Sequence, residues 1–122
     1  MTIRRVVPDI TSADLDKSRE FYQRLGFEEV MNLGWVVTLA SPGNPTAQVI
    51  LMTADRTADV QPDLSIEVED VDGAYAVMVE SGAEIVHDIR DEPWGVRRFF
   101  AVDPDGRVVN VVSHRSQGAP RA

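Results

Sequence analysis

No cysteine occurs among the 122 residues. The chain therefore has no disulfide framework, no thiolate metal site and no cysteine nucleophile. Its composition suits a reducing compartment, and a cytoplasmic location is expected. No apolar run approaches the roughly 18 residues needed to span a bilayer. The opening MTIRRVVPDI has no apolar stretch behind Arg4 and Arg5 that would make a signal peptide. Positive charge is scarce as well: 12 Lys and Arg stand against 20 Asp and Glu, a net charge of −8. So acidic a chain is poorly suited to a phosphate backbone, and neither nucleic acid nor membrane is expected as a partner. A GxSxG elbow and a phosphate-binding glycine loop are both missing, which removes the common signatures of hydrolases and nucleotide binders. What is present is ordinary globular composition, 43% hydrophobic and 26% charged, at a length typical of one domain.

The sequence carries one unit twice. DLDKSREFYQRLGFEEV (Asp14 to Val30) aligns without a gap on DVDGAYAVMVESGAEIV (Asp70 to Val86), 56 positions later. Asp14, Asp16, Gly26, Glu28 and Val30 recur as Asp70, Asp72, Gly82, Glu84 and Val86. In each copy an aspartate suited to N-capping opens a helix, and a glycine suited to the C′ position closes it. Apolar residues fall between them at helical spacing: Leu15, Phe21, Tyr22 and Leu25, then Val71, Tyr75, Met78 and Val79. Ahead of each helix lies a strand pattern, IRRVVPDI and LSIEVED, the second in strict alternation. Behind each lie three strands: 27–32, 35–40 and 47–53, then 84–89, 96–102 and 107–113. SPGNP and DPDG provide turns between them. The predicted organisation is a single α+β domain of two tandem βαβββ modules, about 3–54 and 63–114. A polar linker joins them over 55–62, and a disordered tail follows over 115–122. The sheet is expected to be mixed and curved, with the helices on its convex face and a ligand cleft on the concave one.

The paired modules, the DLDKSREFYQRLGF helix and the EPWGVRRFFAVDPDG hairpin resemble the vicinal oxygen chelate superfamily. That group includes glyoxalase I, extradiol dioxygenases, fosfomycin-resistance transferases and bleomycin-resistance binding proteins. In its enzymes a divalent metal is held by His, Glu or Gln from the first and last strands of each module. The resemblance maps those positions here onto Val7, seven residues before Asp14, and Asp63, seven before Asp70. The final-strand position falls on Asn110, four residues past Gly106. In AQVILMT the register leaves Gln48, Ile50 and Leu51 open. One charged oxygen does not hold a catalytic metal, so no metal and no cofactor are expected. The resemblance to the metal-free bleomycin-resistance branch implies a small-molecule binding protein, a homodimer that sequesters an antibiotic or a toxic metabolite. The alternative is a metal-dependent glyoxalase-like lyase or dioxygenase built on Asp63, Asn110 and Gln48.

The expected ligand-binding residues follow from strand parity. Asp63, Ser65 and Glu67 alternate with Leu64, Ile66 and Val68, so the polar set faces the cleft, joined by Val7 and Asp9 from the first strand. Glu67 and Asp63 are also the candidates for a metal-free general base. Trp35 and Trp94 are expected as cleft walls. Of the adjacent Arg97 and Arg98 one points inward, taken here as Arg98, to pair with a carboxylate such as Glu67, and Asn110 completes the set. His87 and His114 read as partly exposed surface residues without a partner.

Overall fold

The structure, a computed structural model, describes residues 2–114. Its elements run β1 (Ile3–Thr11), α1 (Leu15–Arg24), β2 (Glu28–Asn32), β3 (Val36–Ser41), β4 (Asn44–Met52), β5 (Leu64–Val68), α2 (Val71–Glu80), β6 (Glu84–Glu92), β7 (Val96–Val102) and β8 (Val108–His114). This is the expected α+β fold of two βαβββ modules, and both helices begin and end 56 residues apart. The tail over 115–122, expected to be disordered, lies outside the described residues.

The repeated helix ends form as their residues dictate. Asp14 accepts a hydrogen bond from the Lys17 N–H at 3.1 Å, and Asp70 from the Gly73 N–H at 3.0 Å. Each satisfies one of the N–H groups that a helix start leaves free. Past each helix a glycine takes positive φ, Gly26 at 116° and Gly82 at 84°, a region costly for any side chain. The following strand therefore leaves at the same point in both modules.

All eight strands join one mixed sheet in the order β2-β3-β4-β1-β5-β8-β7-β6. Within each module the first strand runs parallel to the last, β1 to β4 and β5 to β8. The modules meet where β1 runs antiparallel to β5, with Pro8 opposite Leu64. These two residues are themselves repeat equivalents, so an approximate two-fold axis passes between them. The modules pair edge to edge within one chain, a point on which the sequence is silent.

Two apolar layers separate the sheet from its helices. Val71 and Ala74 of α2 pack on Val68, Phe99 and Ala101 of the sheet, and Val37, Leu39, Val49 and Leu51 lie under α1. The α1 stripe departs from expectation. Leu15 and Tyr22 face the sheet, but Phe21 and Leu25 are 58% and 70% exposed. At 3.6 residues per turn Phe21 sits roughly 110° around α1 from the Leu15–Tyr22 line, turned away from the sheet, and Leu25, at the C-terminal cap, sits roughly 70° from it. In α2, Tyr75 and Met78 pack against the core while Val79 stays largely exposed.

Candidate ligand cleft between the modules

The sheet face opposite the helices encloses a cavity of about 100 Å³ that draws on both modules. Its floor is a row across four adjacent strands: Ile50 on β4, Asp9 on β1, Ser65 on β5 and Asn110 on β8. Ser65 Oγ donates to Asp9 Oδ2 at 2.6 Å and accepts from Asn110 Nδ2 at 3.0 Å. All three side chains are buried. Asp9 Oδ1 and Asn110 Oδ1, also buried, accept no hydrogen bond from any described residue. Burial penalises the charged form of Asp9 and raises its pKa to about 7. The Ser65 hydrogen bond and the fields of Arg98 and Arg5 work against that rise.

The mouth is built from one tryptophan of each module. Trp35 precedes β3 and Trp94 lies in the β6–β7 turn, and their rings meet edge to face with centroids 5.5 Å apart. Val36, Met52, Val96 and Val112 supply apolar wall. Trp94 does a second job, because the Arg98 guanidinium lies 4.9 Å from its ring centroid and 4.8 Å from that of Phe100.

Arg98 anchors a buried ionic network beside the cavity. Its Nη2 reaches Asp55 Oδ2 at 2.7 Å, and its Nε donates to Glu92 Oε2 at 2.7 Å. Glu92 also meets His87 Nε2 at 2.8 Å and the more exposed Arg90 at 3.1 Å. Burial alone would raise both carboxyls. Hydrogen bonds from His87 and Arg98 to Glu92, and from Thr57 and Arg98 to Asp55, outweigh it and hold both below the usual carboxylate range.

Six of the residues expected from sequence line the cavity: Asp9, Trp35, Ser65, Trp94, Arg98 and Asn110. The other three stand apart. Val7 is buried at 1% exposure. Asp63 is exposed and accepts from the Val108 N–H at 2.9 Å, tying β5 to β8. Glu67 is bound by Arg5 Nε at 2.6 Å and meets His114 Nδ1 at 2.9 Å, which holds its carboxyl below the usual range despite burial. Arg98 consequently pairs with Asp55 and Glu92 and not with Glu67, because Arg5 stands directly across from Glu67 on the neighbouring strand. Arg97 points the other way, to Asp72 and Asp91. In β4, Ile50 faces the cavity while Leu51 is fully buried in the helix-side core.

The histidines differ from expectation. His87 is 9% exposed and paired, and His114 has Glu67 as its partner. The reason for His87 is a bulge. Along β6 the register shifts between His87 and Arg90, so His87, Arg90 and Glu92 oppose Phe100, Arg98 and Val96. Simple alternation would put His87 and Glu92 on opposite faces; the extra residue puts them on one. Sequence reasoning also missed Arg5, although it shares parity with Val7 and Asp9. It missed Asp55 and Thr57 as well, which lie in the linker and have no periodicity to read.

The residues present do not fit the divalent ion that the resemblance to metal enzymes implies. Among the described residues no three His, Cys, Asp or Glu side chains gather in a way that holds a metal. Asp63 is turned to a backbone amide, and Gln48 is bonded to Arg5 and to the Pro45 carbonyl. Asn110 and the separate Asp9 are too few and too weak a set.

A curved sheet from two βαβββ modules around a shared cleft defines a class of protein known for diverse chemistry on one scaffold. Residues 2–111 match the model of the Glyoxalase/Bleomycin resistance protein/Dioxygenase superfamily, and the chain belongs to it. Solved structures agree on the fold. An NAD-dependent benzaldehyde dehydrogenase from Legionella pneumophila superposes with a TM-score of 0.72 at 17% identity, covering 90% of this chain and 99% of that one. A glyoxalase/bleomycin resistance protein/dioxygenase superfamily member from Vibrio splendidus 12B01 gives 0.68 at 21% identity, covering 92% and 99%. The Mn(II)-bound glyoxalase from Novosphingobium aromaticivorans gives 0.61 at 22% identity, covering 91% of this chain and 38% of that one. No curated protein matches the sequence. Among the described residues no helix is long and apolar enough to cross a membrane.

Proposed function

We propose that the chain is a metal-independent small-molecule binding protein that holds its ligand in the cleft between the two modules. The observation that carries this reading is the cavity itself. Its walls are apolar, its mouth is framed by Trp35 and Trp94, and its floor holds buried acceptor oxygens with unused capacity. Sites for small molecules combine such walls with a few placed polar groups. A volume of about 100 Å³ lies below the roughly 300–1,000 Å³ of drug-sized pockets. The ligand is therefore compact, or enters as the tryptophan pair parts. Sequestration of a toxic metabolite suits a compact ligand better than sequestration of a large antibiotic.

Trp35 and Trp94 are the only tryptophans of the chain, so intrinsic fluorescence reports directly on the mouth. Titration with a panel of compact aromatic and heteroaromatic compounds is expected to give saturable changes with some members. A flat response across the panel overturns the reading. The homodimer implied by the family belongs to the same proposal, with Phe21 of α1 and Leu25 at its C-terminal cap as the apolar surface offered for it. Light scattering after size exclusion tests this point, and a monomer at all concentrations removes it.

A further inference from the structure

The geometry points to a ligand that is a small organic cation, a primary ammonium or amidinium on a compact apolar body, held by Asp9 and Asn110. This inference rests on the binding reading above and names the chemistry of its ligand. Among the described residues, Asp55, Glu92 and Glu67 beside the cleft each have a cationic partner, and Asp63 is turned to the Val108 amide. Asp55 has Arg98, Glu92 has Arg98 and Arg90, and Glu67 has Arg5. Asp9 has none; its carboxylate takes one side-chain hydrogen bond, from the neutral Ser65. Asn110 spends its amide N–H on the same serine, leaving its carbonyl oxygen unused. Two acceptors with spare capacity therefore stand on either side of Ser65, both about nine-tenths buried.

Buried acceptors of this kind are costly until a donor reaches them, and a buried carboxylate until a counter-charge does. A group with at least two N–H donors and one positive charge answers both needs. One N–H donates to Asp9 Oδ1 and another to Asn110 Oδ1, while the apolar body meets Trp35, Ile50, Met52 and Val112. A neutral hydroxyl supplies one donor and no charge. An anion would face the Asp9 carboxylate directly and is disfavoured.

The pairing requires the carboxylate form of Asp9. The charged groups acting on Asp9 are Arg98 and Arg5, which favour that form, and Asp63, which opposes it; Ser65, Asn110 and Ile50 complete its surroundings without titrating. With burial dominant, proton loss falls near pH 7. Affinity for the cation then rises about tenfold per pH unit up to that point and levels above it, and binding below it releases a proton.

Calorimetric titration with benzylammonium and benzamidinium, against benzyl alcohol and benzamide as neutral isosteres, tests the inference. The expected result at pH 8 is at least about tenfold tighter binding of the cations, falling about tenfold at pH 6, with preference lost in Asp9→Asn. If that variant fails to fold, wild-type titrations at pH 6 in buffers of different ionisation enthalpy supply an independent reading, with close to one proton released expected. Neutral probes that bind as well as cations overturn the inference and leave the cleft reading intact. Binding by no probe overturns both. Cation preference that survives Asp9→Asn, or titration without proton release, also overturns it.

Discussion

Asp9 and Ser65 occupy equivalent positions in the two modules, 56 residues apart, and are joined by a 2.6 Å hydrogen bond from Ser65 Oγ to Asp9 Oδ2. The approximate two-fold axis brings the equivalents together, and their difference in chemistry makes one the donor and the other the acceptor. The bond closes the module junction at the floor of the cleft. It also leaves Asp9 as a buried carboxylate with a neutral partner, and the cleft's chemistry follows from that.

Asp9 makes folding stability depend on pH in a definite direction. Its pKa is raised to about 7 from an ordinary 3.8, so the folded state holds a proton that the unfolded state releases. The stabilisation is full below the unfolded value and is lost as pH rises through about 7, for a total of about 4 kcal/mol at most. Chemical denaturation at pH 5 and pH 8 is expected to show a larger gain from Asp9→Asn at pH 8. A variant less stable than wild type at pH 8 contradicts the account.

Arg98 and Arg97 are adjacent, yet their removal is expected to differ sharply. Arg98→Ala leaves Asp55 and Glu92 without their shared buried cation and costs about 3–5 kcal/mol. Arg97→Ala removes more exposed pairs with Asp72 and Asp91 and costs under about 1 kcal/mol. Arg98→Lys falls between, because an ammonium keeps the charge but not the fork. Urea melts of the three variants check the order, and near-equal losses for the two alanine variants contradict it.

The tryptophan pair couples the modules at the mouth. A double-mutant cycle on Trp35→Phe and Trp94→Phe is expected to give a coupling energy of about 1 kcal/mol. Additive losses would mean that the rings do not meet in solution.

Metal removal is expected to change nothing. Protein purified without chelators should contain no stoichiometric divalent ion, and EDTA should leave its melting temperature and ligand affinity unaltered. Stoichiometric zinc, nickel, manganese or iron, lost together with stability on chelation, contradicts metal independence.

The fold was legible because each module repeats the signals that define it: caps at Asp14 and Asp70, glycines 26 and 82, and alternation in the strands between. Parity along β1 and β5 also placed Asp9 and Ser65 in the cleft. Parity alone did not bring Asp63 and Glu67 onto the cavity wall. It shows which way a side chain leaves the sheet, not which neighbour captures it, and the Val108 amide and Arg5 capture these two. His87 and Glu92 were illegible because a bulge between them reverses the alternation on which such reasoning depends. Asp55 was illegible for a different reason: its site is defined by Arg98, 43 residues away, and nothing local marks it.

The most direct test of the account is a two-dimensional ¹H–¹⁵N spectrum of the labelled protein titrated with a compound that changes its fluorescence. The prediction is that both tryptophan indole N–H signals shift with the Asn110 side-chain amide, while backbone signals of α1 and α2 remain still. Shifts confined to the helices, or indole signals that do not move at saturation, would place the ligand elsewhere and contradict a binding cleft between the modules.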